Sequence, residues 1–243
     1  MKKKIFISMS CILAVGLISG CSKTFNKTFG GSGADYAYSV QQTTDGGYIL
    51  AGYTASFGAG SIDAWLIKTD ADGNKVWDKT FGGSGDDIAY AVQQTSDGGY
   101  ILAGYTWLLG AWYDAWLIKT DANGNKVWDK TFGGRRSDFA YAVQQTSDGG
   151  YILAGWTAGS YFVGNPYAWL IKTDANGNKV WDRTFGGRAY GGSSQEIANS
   201  VQQTSDGGYI LAGSTYSIGA GDGDAWLIKT DANGNAPPIP IPG

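Results

Sequence analysis

The sequence predicts an all-β fold, a four-bladed β-propeller whose blades are four-stranded antiparallel sheets. One unit of sequence recurs four times with small variations, and its fourth copy lacks the ending: DGGYILAG, a variable stretch, then AWLIKTDANGNKVWDKTFGG. Its tryptophan markers Trp65, Trp116, Trp169 and Trp226 are 51, 53 and 57 residues apart. Each copy divides into four short strand-like segments separated by turn signals. A β-solenoid is the competing interpretation, but its coils are shorter, whereas a four-strand repeat of this length is typical of propeller blades.

The chain opens with an export signal in residues 1–20. Lys2, Lys3 and Lys4 precede an apolar run that is too short to span a bilayer, and small residues follow it. The stretch ISGC resembles the lipobox of bacterial lipoproteins, which implies cleavage before Cys21 and lipidation of its thiol. An ordinary secretory signal with a coincidental cysteine is the alternative. Multiple acyl chains anchor a protein stably, so we expect attachment to the outer membrane, or to the outer face of the cytoplasmic membrane where only that exists.

Composition excludes several kinds of chemistry. Without the signal's three lysines, the 18 basic and 21 acidic residues leave a net charge of about −6, and no basic stripe predicts a nucleic-acid partner. The chain has no His, one Glu, and two Cys, of which Cys11 lies in the signal and Cys21 is the predicted lipid site. The residues needed for a His-based catalytic triad, for a Cys or His metal site or for hydrolysis by a pair of Glu are therefore missing. We expect no metal and no cofactor.

The second copy shows the expected order of strands. A first strand near 89–95 is followed by the turn SDGG, a second strand over 100–106, a variable loop, a third strand over 115–120 and a fourth over 126–133. Strands two and three are apolar on both faces and should lie in the middle of the blade. The fourth strand mixes charges with large apolar residues, which is typical of an outer edge.

The fourth copy lacks its last strand, because residues 236–243 are rich in proline. Residues 23–31 align without a gap on residues 126–134 of the second copy, so the N-terminus is predicted to complete the last blade and close the ring. The expected domains are a signal over 1–20, a lipidated terminus at 21–22, a propeller over 23–235 and a tail over 236–243. The expected blades are 32–83, 84–134, 135–187 and 188–235 with 23–31. A dimer with exchanged N-termini would instead form an eight-bladed assembly.

Sequence differences among the copies concentrate at one end of the predicted sheets, in the loops from strand two to three and from blade to blade. Aromatic and charged residues at such an end are typical of recognition surfaces, although they could also simply pack on neighbouring loops. Candidate ligand-binding residues are Trp107, Trp112, Tyr113, Arg135, Arg136, Trp156, Tyr161, Phe162, Tyr167, Arg188, Tyr190, Glu196 and Tyr216.

The Asp- and Asn-rich turns, such as residues 121–125, superficially resemble calcium loops. They lack the remaining ligands and the bidentate Glu that such loops use. A hairpin turn held by the Asp side chain is the better interpretation.

The run DANGNKVWDKTFGG resembles the tryptophan-docking repeats of quinoprotein-type propellers, with Trp77, Trp128 and Trp181 in the docking position and Phe25 in the closing strand. The whole pattern is similar to uncharacterised repeat families of bacterial and archaeal surface proteins presumed to be propellers. The resemblance covers 23–235 and implies the fold without an activity. No quinone ligands can be placed in this chain.

We therefore expect a non-enzymatic, membrane-anchored lipoprotein whose variable-loop face binds a protein or a glycan. A hydrolase or lyase that uses Asp, Tyr and Arg at the channel mouth is the first alternative. A structural spacer without a specific ligand is the second.

Overall fold

A computed structural model describes residues 24–107, 112–158, 166–186, 195–219 and 222–238. Fifteen strands form four antiparallel sheets, one for each copy of the repeat. The strands of the first sheet are β1 (Asp35–Gln42), β2 (Tyr48–Thr54), β3 (Asp63–Thr69) and β4 (Lys75–Phe81). Those of the second are β5 (Ile88–Gln94), β6 (Tyr100–Trp107), β7 (Tyr113–Thr120) and β8 (Lys126–Phe132). Those of the third are β9 (Asp138–Gln145), β10 (Tyr151–Thr157), β11 (Tyr167–Thr173) and β12 (Lys179–Phe185). The fourth sheet has three, β13 (Glu196–Gln203), β14 (Tyr209–Thr215) and β15 (Asp224–Thr230).

The predicted order of strands within each copy is confirmed. Consecutive strands pair in every sheet, and the two middle strands of the first three sheets are the most buried. The fourth strands expose their valines, Val76, Val127 and Val180, by about three-fifths. Among the described residues no helix is long and apolar enough to cross a membrane, and the predicted signal and Cys21 lie outside those residues.

The hydrophobic core lies between the sheets, in three layers. Each layer joins the apolar face of one sheet to that of the next, so that Leu66 of β3 shares a layer with Leu102 of β6 and Trp116 of β7. The second and third layers repeat this pattern between the following pairs of sheets. Face-to-face packing of successive small sheets is the arrangement of propeller blades.

The predicted closure of the ring within one chain is wrong. Residues 24–31 form no strand, and the fourth sheet keeps only three strands. Phe25 instead packs on the first sheet, where its ring meets that of Tyr48 at 5.7 Å between centroids and lies against Gly73. Sheets pack first on second, second on third and third on fourth, and the described residues show no comparable packing of the fourth on the first. The N-terminal segment therefore lies beside the first sheet, away from the open edge of β15.

Tryptophan docking joins neighbouring sheets at their outer ends. Trp77, Trp128 and Trp181 pack against the turn glycine of the following sheet, so that a Cβ on Gly124 would be 2.6 Å from Cζ3 of Trp77. Each indole also meets the tyrosine that begins the second strand of that sheet, as Trp77 meets Tyr100 at 5.9 Å. The docking positions implied by the resemblance are thus confirmed, and Phe25 occupies the same place on the first sheet.

The Asp turns are held by their own amides, as predicted. Asp121 Oδ1 accepts from the backbone N–H groups of Asn123 and Asn125, and Oδ2 accepts from the Asn125 side chain at 2.9 Å. These bonds use both carboxylate oxygens inside the turn.

The DGG turns carry an ion pair with the third strand. Asp97 accepts hydrogen bonds from Thr95 and Gly99, and Lys119 approaches its carboxylate to 2.8 Å. Desolvation raises the pKa of Asp97, but the bonds from Lys119, Thr95 and Gly99 outweigh it and lower the pKa to about 2. Asp148 shows the same balance, with a pKa of about 2. A depressed carboxyl pKa contributes stability above the unfolded value of 3.8, and that stability is lost as pH falls toward 2.

We expect Lys119→Met to raise the pKa of Asp97 toward 3.8, because the replacement removes the largest of the bonds that lower it. Carboxyl chemical shifts followed by NMR between pH 2 and 6 measure this. Lys126→Met, which removes an exposed pair with Asp129 on β8, is the control and should leave Asp97 unchanged. An Asp97 that already titrates near 3.8 in the unsubstituted protein would contradict the assigned bonds.

Candidate functional site

The variable loops meet at one end of the sheets, as the antiparallel order of strands requires. Trp107 ends β6, Tyr113 begins β7, Tyr167 begins β11 and Tyr216 follows β14. Trp156 lies near the end of β10, and Arg135 and Arg136 lie between β8 and β9. The predicted residues that the structure describes therefore share one end of the molecule.

A β-bulge in every first strand shapes this end. In β5, Ala89 pairs with Gly104 and Ala91 pairs with Ala103, which leaves Tyr90 as the extra residue. The same irregularity places Tyr38 in β1, Tyr141 in β9 and Asn199 in β13. A bulge redirects the side chain of the extra residue. Here the bulges bring rings of successive sheets together where the first strands meet, with centroids 5.1 Å apart for Tyr38 and Tyr90 and 5.0 Å for Tyr90 and Tyr141.

These rings belong to a continuous group that we call the aromatic band. Tyr105 meets Phe139 at 4.7 Å, and Phe139 stacks on Trp156 at 4.7 Å. The Trp156 indole N–H donates to the Tyr141 hydroxyl at 2.9 Å, which fixes both rings. The band consists of Tyr36, Tyr38, Tyr53, Tyr90, Tyr105, Tyr113, Phe139, Tyr141 and Trp156.

The aromatic band spans three sheets and stops at the fourth. Asn199 of β13 stands where Tyr38, Tyr90 and Tyr141 stand in the other first strands, and Ser214 of β14 is the counterpart of Tyr53. The fold repeats four times, whereas the ring-bearing surface does not. That asymmetry marks the band as more than a packing requirement of the repeat.

Tyr90, Tyr105 and Tyr141 of the aromatic band are uncharged at neutral pH. Burial first, and then neighbouring Tyr141 and Tyr38, raise the pKa of Tyr90 to about 12. Burial also raises the pKa of Tyr105 and Tyr141. Tyr36 and Tyr38 are about half exposed, at 53% and 49%, while the other rings are partly covered. The surface therefore offers neutral ring faces with hydroxyl groups that can donate hydrogen bonds.

The predicted site residues divide into three groups. Tyr113 and Trp156 belong to the aromatic band. Trp107 packs on the backbone of Gly85 and Tyr216 packs beside Gly223, so both mainly fix their loops. Trp112 is 52% exposed, Arg135 is exposed, and Arg136 and Tyr167 are partly buried. Tyr161, Phe162, Arg188 and Tyr190 lie outside the described residues.

The sequence predicted that Glu196 lies on the ligand-binding surface with the arginines. The structure places it elsewhere. It begins β13 and is fully buried, and its carboxylate accepts from Thr215 at 3.4 Å. Asp35, Asp87 and Asp138 hold the corresponding place, and each caps the glycine of a TFGG segment through that residue's N–H. Glu196 is thus the fourth member of a repeated structural set.

The sequence profile of HfaD, holdfast attachment protein D, matches residues 26–238. The chain belongs to this family. The match includes all four sheets and the whole aromatic band of this HfaD-family chain. No protein of curated function matches the chain.

Solved structures resemble the HfaD-family chain in fold. The WD40 domain of Neurospora crassa Pan2 aligns with a TM-score of 0.50 and 11% identity over 81% of this chain, which spans 46% of that domain's length. An endo-arabinase from Bacteroides thetaiotaomicron aligns with a TM-score of 0.47 and 11% identity, covering 82% of this chain and 75% of that one. The WD40 likeness shows a propeller-like fold, and the four sheets correspond to less than half of that larger domain.

Sequence reasoning missed most of the aromatic band, including Tyr38, Tyr90, Tyr105, Phe139 and Tyr141. A signal for three of them existed, since aligned first strands read AYSV, AYAV, AYAV and ANSV. What the sequence did not show was the geometry, because the alternation of side chains along a strand only assigns each tyrosine to one face of its sheet. The bulge, which alternation does not reveal, is what brings the rings together.

Proposed function

We propose that this chain is a non-enzymatic attachment module that binds an extended, uncharged glycan along its aromatic band. The observation that carries the proposal is the continuity of the rings across three sheets, with tyrosine centroids about 5 Å apart. Flat rings present large contact area at low cost in conformational entropy, and the hydroxyl groups supply donors for sugar hydroxyls. The family's description as a holdfast attachment protein supports a role at the cell surface.

The proposed setting is the outside of the membrane that carries the Cys21 lipid. The signal-like residues 1–20 and the ISGC stretch support export and lipidation. An anchored propeller would present the aromatic band to material outside the cell. The destination is the outer membrane in a cell that has one.

The absence of catalysis is part of the proposal. Catalysis at the channel mouth would use an accessible acid beside the arginines, and Glu196 is instead fully buried and accepts a hydrogen bond from Thr215. Asp87 and Asp138, at the same end of the sheets, accept hydrogen bonds from the backbone N–H groups of Gly83 and Gly134.

We expect Tyr38→Ala and Tyr90→Ala to weaken glycan binding about tenfold each, which corresponds to the loss of about 1.4 kcal/mol per ring. The full chain is tested on an array of neutral polysaccharides, and retained glycans are then titrated by calorimetry. Asn199→Ala, which alters the position on β13 where the aromatic band stops, is the matched control and should bind normally. Unchanged melting temperatures show that the variants fold.

The proposal fails if no polysaccharide is retained, or if Tyr38→Ala and Asn199→Ala bind equally well. Capture of a protein that depends on Trp112, in place of a glycan, would establish protein recognition through the exposed loop. If the chain bound neither a polysaccharide nor a protein, the result would favour a structural spacer.

A further inference from the structure

The row of four sheets ends in two surfaces on which, among the described residues, no further sheet packs. We call the surface of the first sheet that carries Val40 the front face, and the surface of the fourth sheet that carries Leu227 the back face. Between neighbouring sheets, the back face of one sheet always packs on the front face of the next. These two end surfaces are therefore the two halves of an interface that the molecule already contains three times.

Burial shows that part of each half is uncovered, although Trp65 and Ile67 of the front face are buried. Leu66, Leu117 and Leu170 are fully buried at internal interfaces, whereas Leu227 at the same position of β15 is 69% exposed. On the other half, Val92 and Val201 are buried, whereas Val40 is 65% exposed. Exposed aliphatic side chains at positions designed for a core indicate a surface that is covered by a partner.

Hydrogen bonds between sheets also indicate that the two end surfaces lack a partner. At each internal interface, a glutamine Oε1 of one sheet accepts from a backbone N–H of the next at 2.6 Å, for example Gln144 from Gln203. A second glutamine Oε1 accepts from the turn of the preceding sheet, as Gln203 does from Ser147 at 2.8 Å. At the ends of the row, Gln202 and Ser205 on the fourth sheet and Gln42 on the first hold the corresponding positions. Within the described residues they make no such bond.

The two end sheets are also complementary in their strands, since one lacks an outer strand and the other carries a segment that resembles one. The fourth sheet lacks a fourth strand, and residues 24–31 carry the sequence of one. That segment lies on the first sheet where a preceding blade's outer strand would lie, since Phe25 docks on Gly73 as Trp77 docks on Gly124. Its Lys27 also donates to Asn74 at 3.1 Å. If a fourth sheet packed on the front face, residues 24–31 would lie beside its open edge, where its outer strand is missing.

We propose that a second copy of this chain covers both surfaces, so that two chains close head to tail into one eight-bladed propeller. Each chain supplies residues 24–31 as the fourth strand of the other's fourth sheet. Head-to-tail interfaces give closed rings when the rotation closes, and known propellers have four to eight blades. One chain alone leaves the first and fourth sheets apart, and three would exceed that range. Two copies cover both end surfaces and give eight blades, which lies within that range. The proposed ring does not depend on whether the aromatic band binds a glycan.

Paired cysteines test the ring in the full chain. Ser205→Cys and Gln42→Cys are combined in one chain, because their counterparts Ser147 and Gln203 are bonded across an internal interface. Mild oxidation followed by denaturing electrophoresis should give a covalent species of twice the chain mass and nothing larger. Ser147→Cys with Gln203→Cys should crosslink within one chain and stay at monomer mass. The unsubstituted chain, with Cys11 and Cys21, gives the background.

A second substitution separates a real interface from chance contact. Leu227→Glu in the paired-cysteine chain should reduce the doubled species at least tenfold, because it places a charge in the covered surface. Val180→Glu, on the exposed outer strand β12, should leave it unchanged. Three results would overturn the proposal: a crosslink within one chain, a ladder of higher multiples, or no crosslink between the paired cysteines.

Discussion

Gly104→Ala is expected to destabilise the fold by at least about 4 kcal/mol, a large fraction of the total stability of an ordinary domain. The bulge in β5 brings the carbonyl oxygen of Ile88 so close to Gly104 that an added Cβ would lie deep inside its van der Waals radius. Backbone atoms cannot move aside as a flexible side chain can. The last glycine of DGGYILAG is therefore required by the first strand, and Gly52, Gly155 and Gly213 are subject to the same contact.

Urea unfolding followed by circular dichroism measures this effect. Gly134→Ala is the matched control, because a Cβ there meets nothing within 4 Å and the residue has no positive φ. The control should change the free energy of unfolding by less than about 0.5 kcal/mol. A Gly104→Ala protein as stable as the control would mean that the bulge is misplaced.

Trp128→Ala is expected to cost about 2 to 4 kcal/mol, somewhat below the usual loss for a fully buried tryptophan because the indole is partly exposed. Its ring packs against Gly177 and meets Tyr151 at 5.9 Å, so the substitution opens a cavity where the second and third sheets meet. The loss should appear as a lower urea midpoint.

Val127→Ala is the control on the same strand, since Val127 is 60% exposed and should change stability by less than about 0.5 kcal/mol. Phe25→Ala, which removes the corresponding ring from the first sheet, should cost less than Trp128→Ala because Phe25 is 43% exposed. Equal losses for Val127→Ala and Trp128→Ala would contradict the docking assigned to the indole.

The repeat made the strands predictable because turn residues and apolar segments recur in each copy. The second copy's expected strand over 100–106 is β6, and its expected strand over 126–133 is β8 within one residue. The alignment of 23–31 with an outer strand also identified what that segment resembles. The alignment did not show that the segment would pack on the first sheet without pairing with β15, because the sequence of an outer strand does not specify its partner.

The candidate site was only partly predictable. Exposed loop aromatics such as Trp112 follow directly from sequence divergence among the copies, and Tyr113 and Trp156 were found in this way. Glu196 was misjudged because a rare residue in a variable segment resembles a surface site until its counterparts Asp87 and Asp138 are seen capping the same turn. The rings of Tyr38 and Tyr90 converge only because each occupies a bulge.

Surface attachment of cells tests the central claim most directly, that the aromatic band performs the attachment. Cells that carry Tyr90→Ala in the full chain are compared with cells that carry Asn199→Ala, at equal amounts of protein on the cell surface. The number of cells retained on a washed surface should fall severalfold with Tyr90→Ala and stay at the unsubstituted level with Asn199→Ala. Equal retention of the two strains would contradict the role assigned to the band.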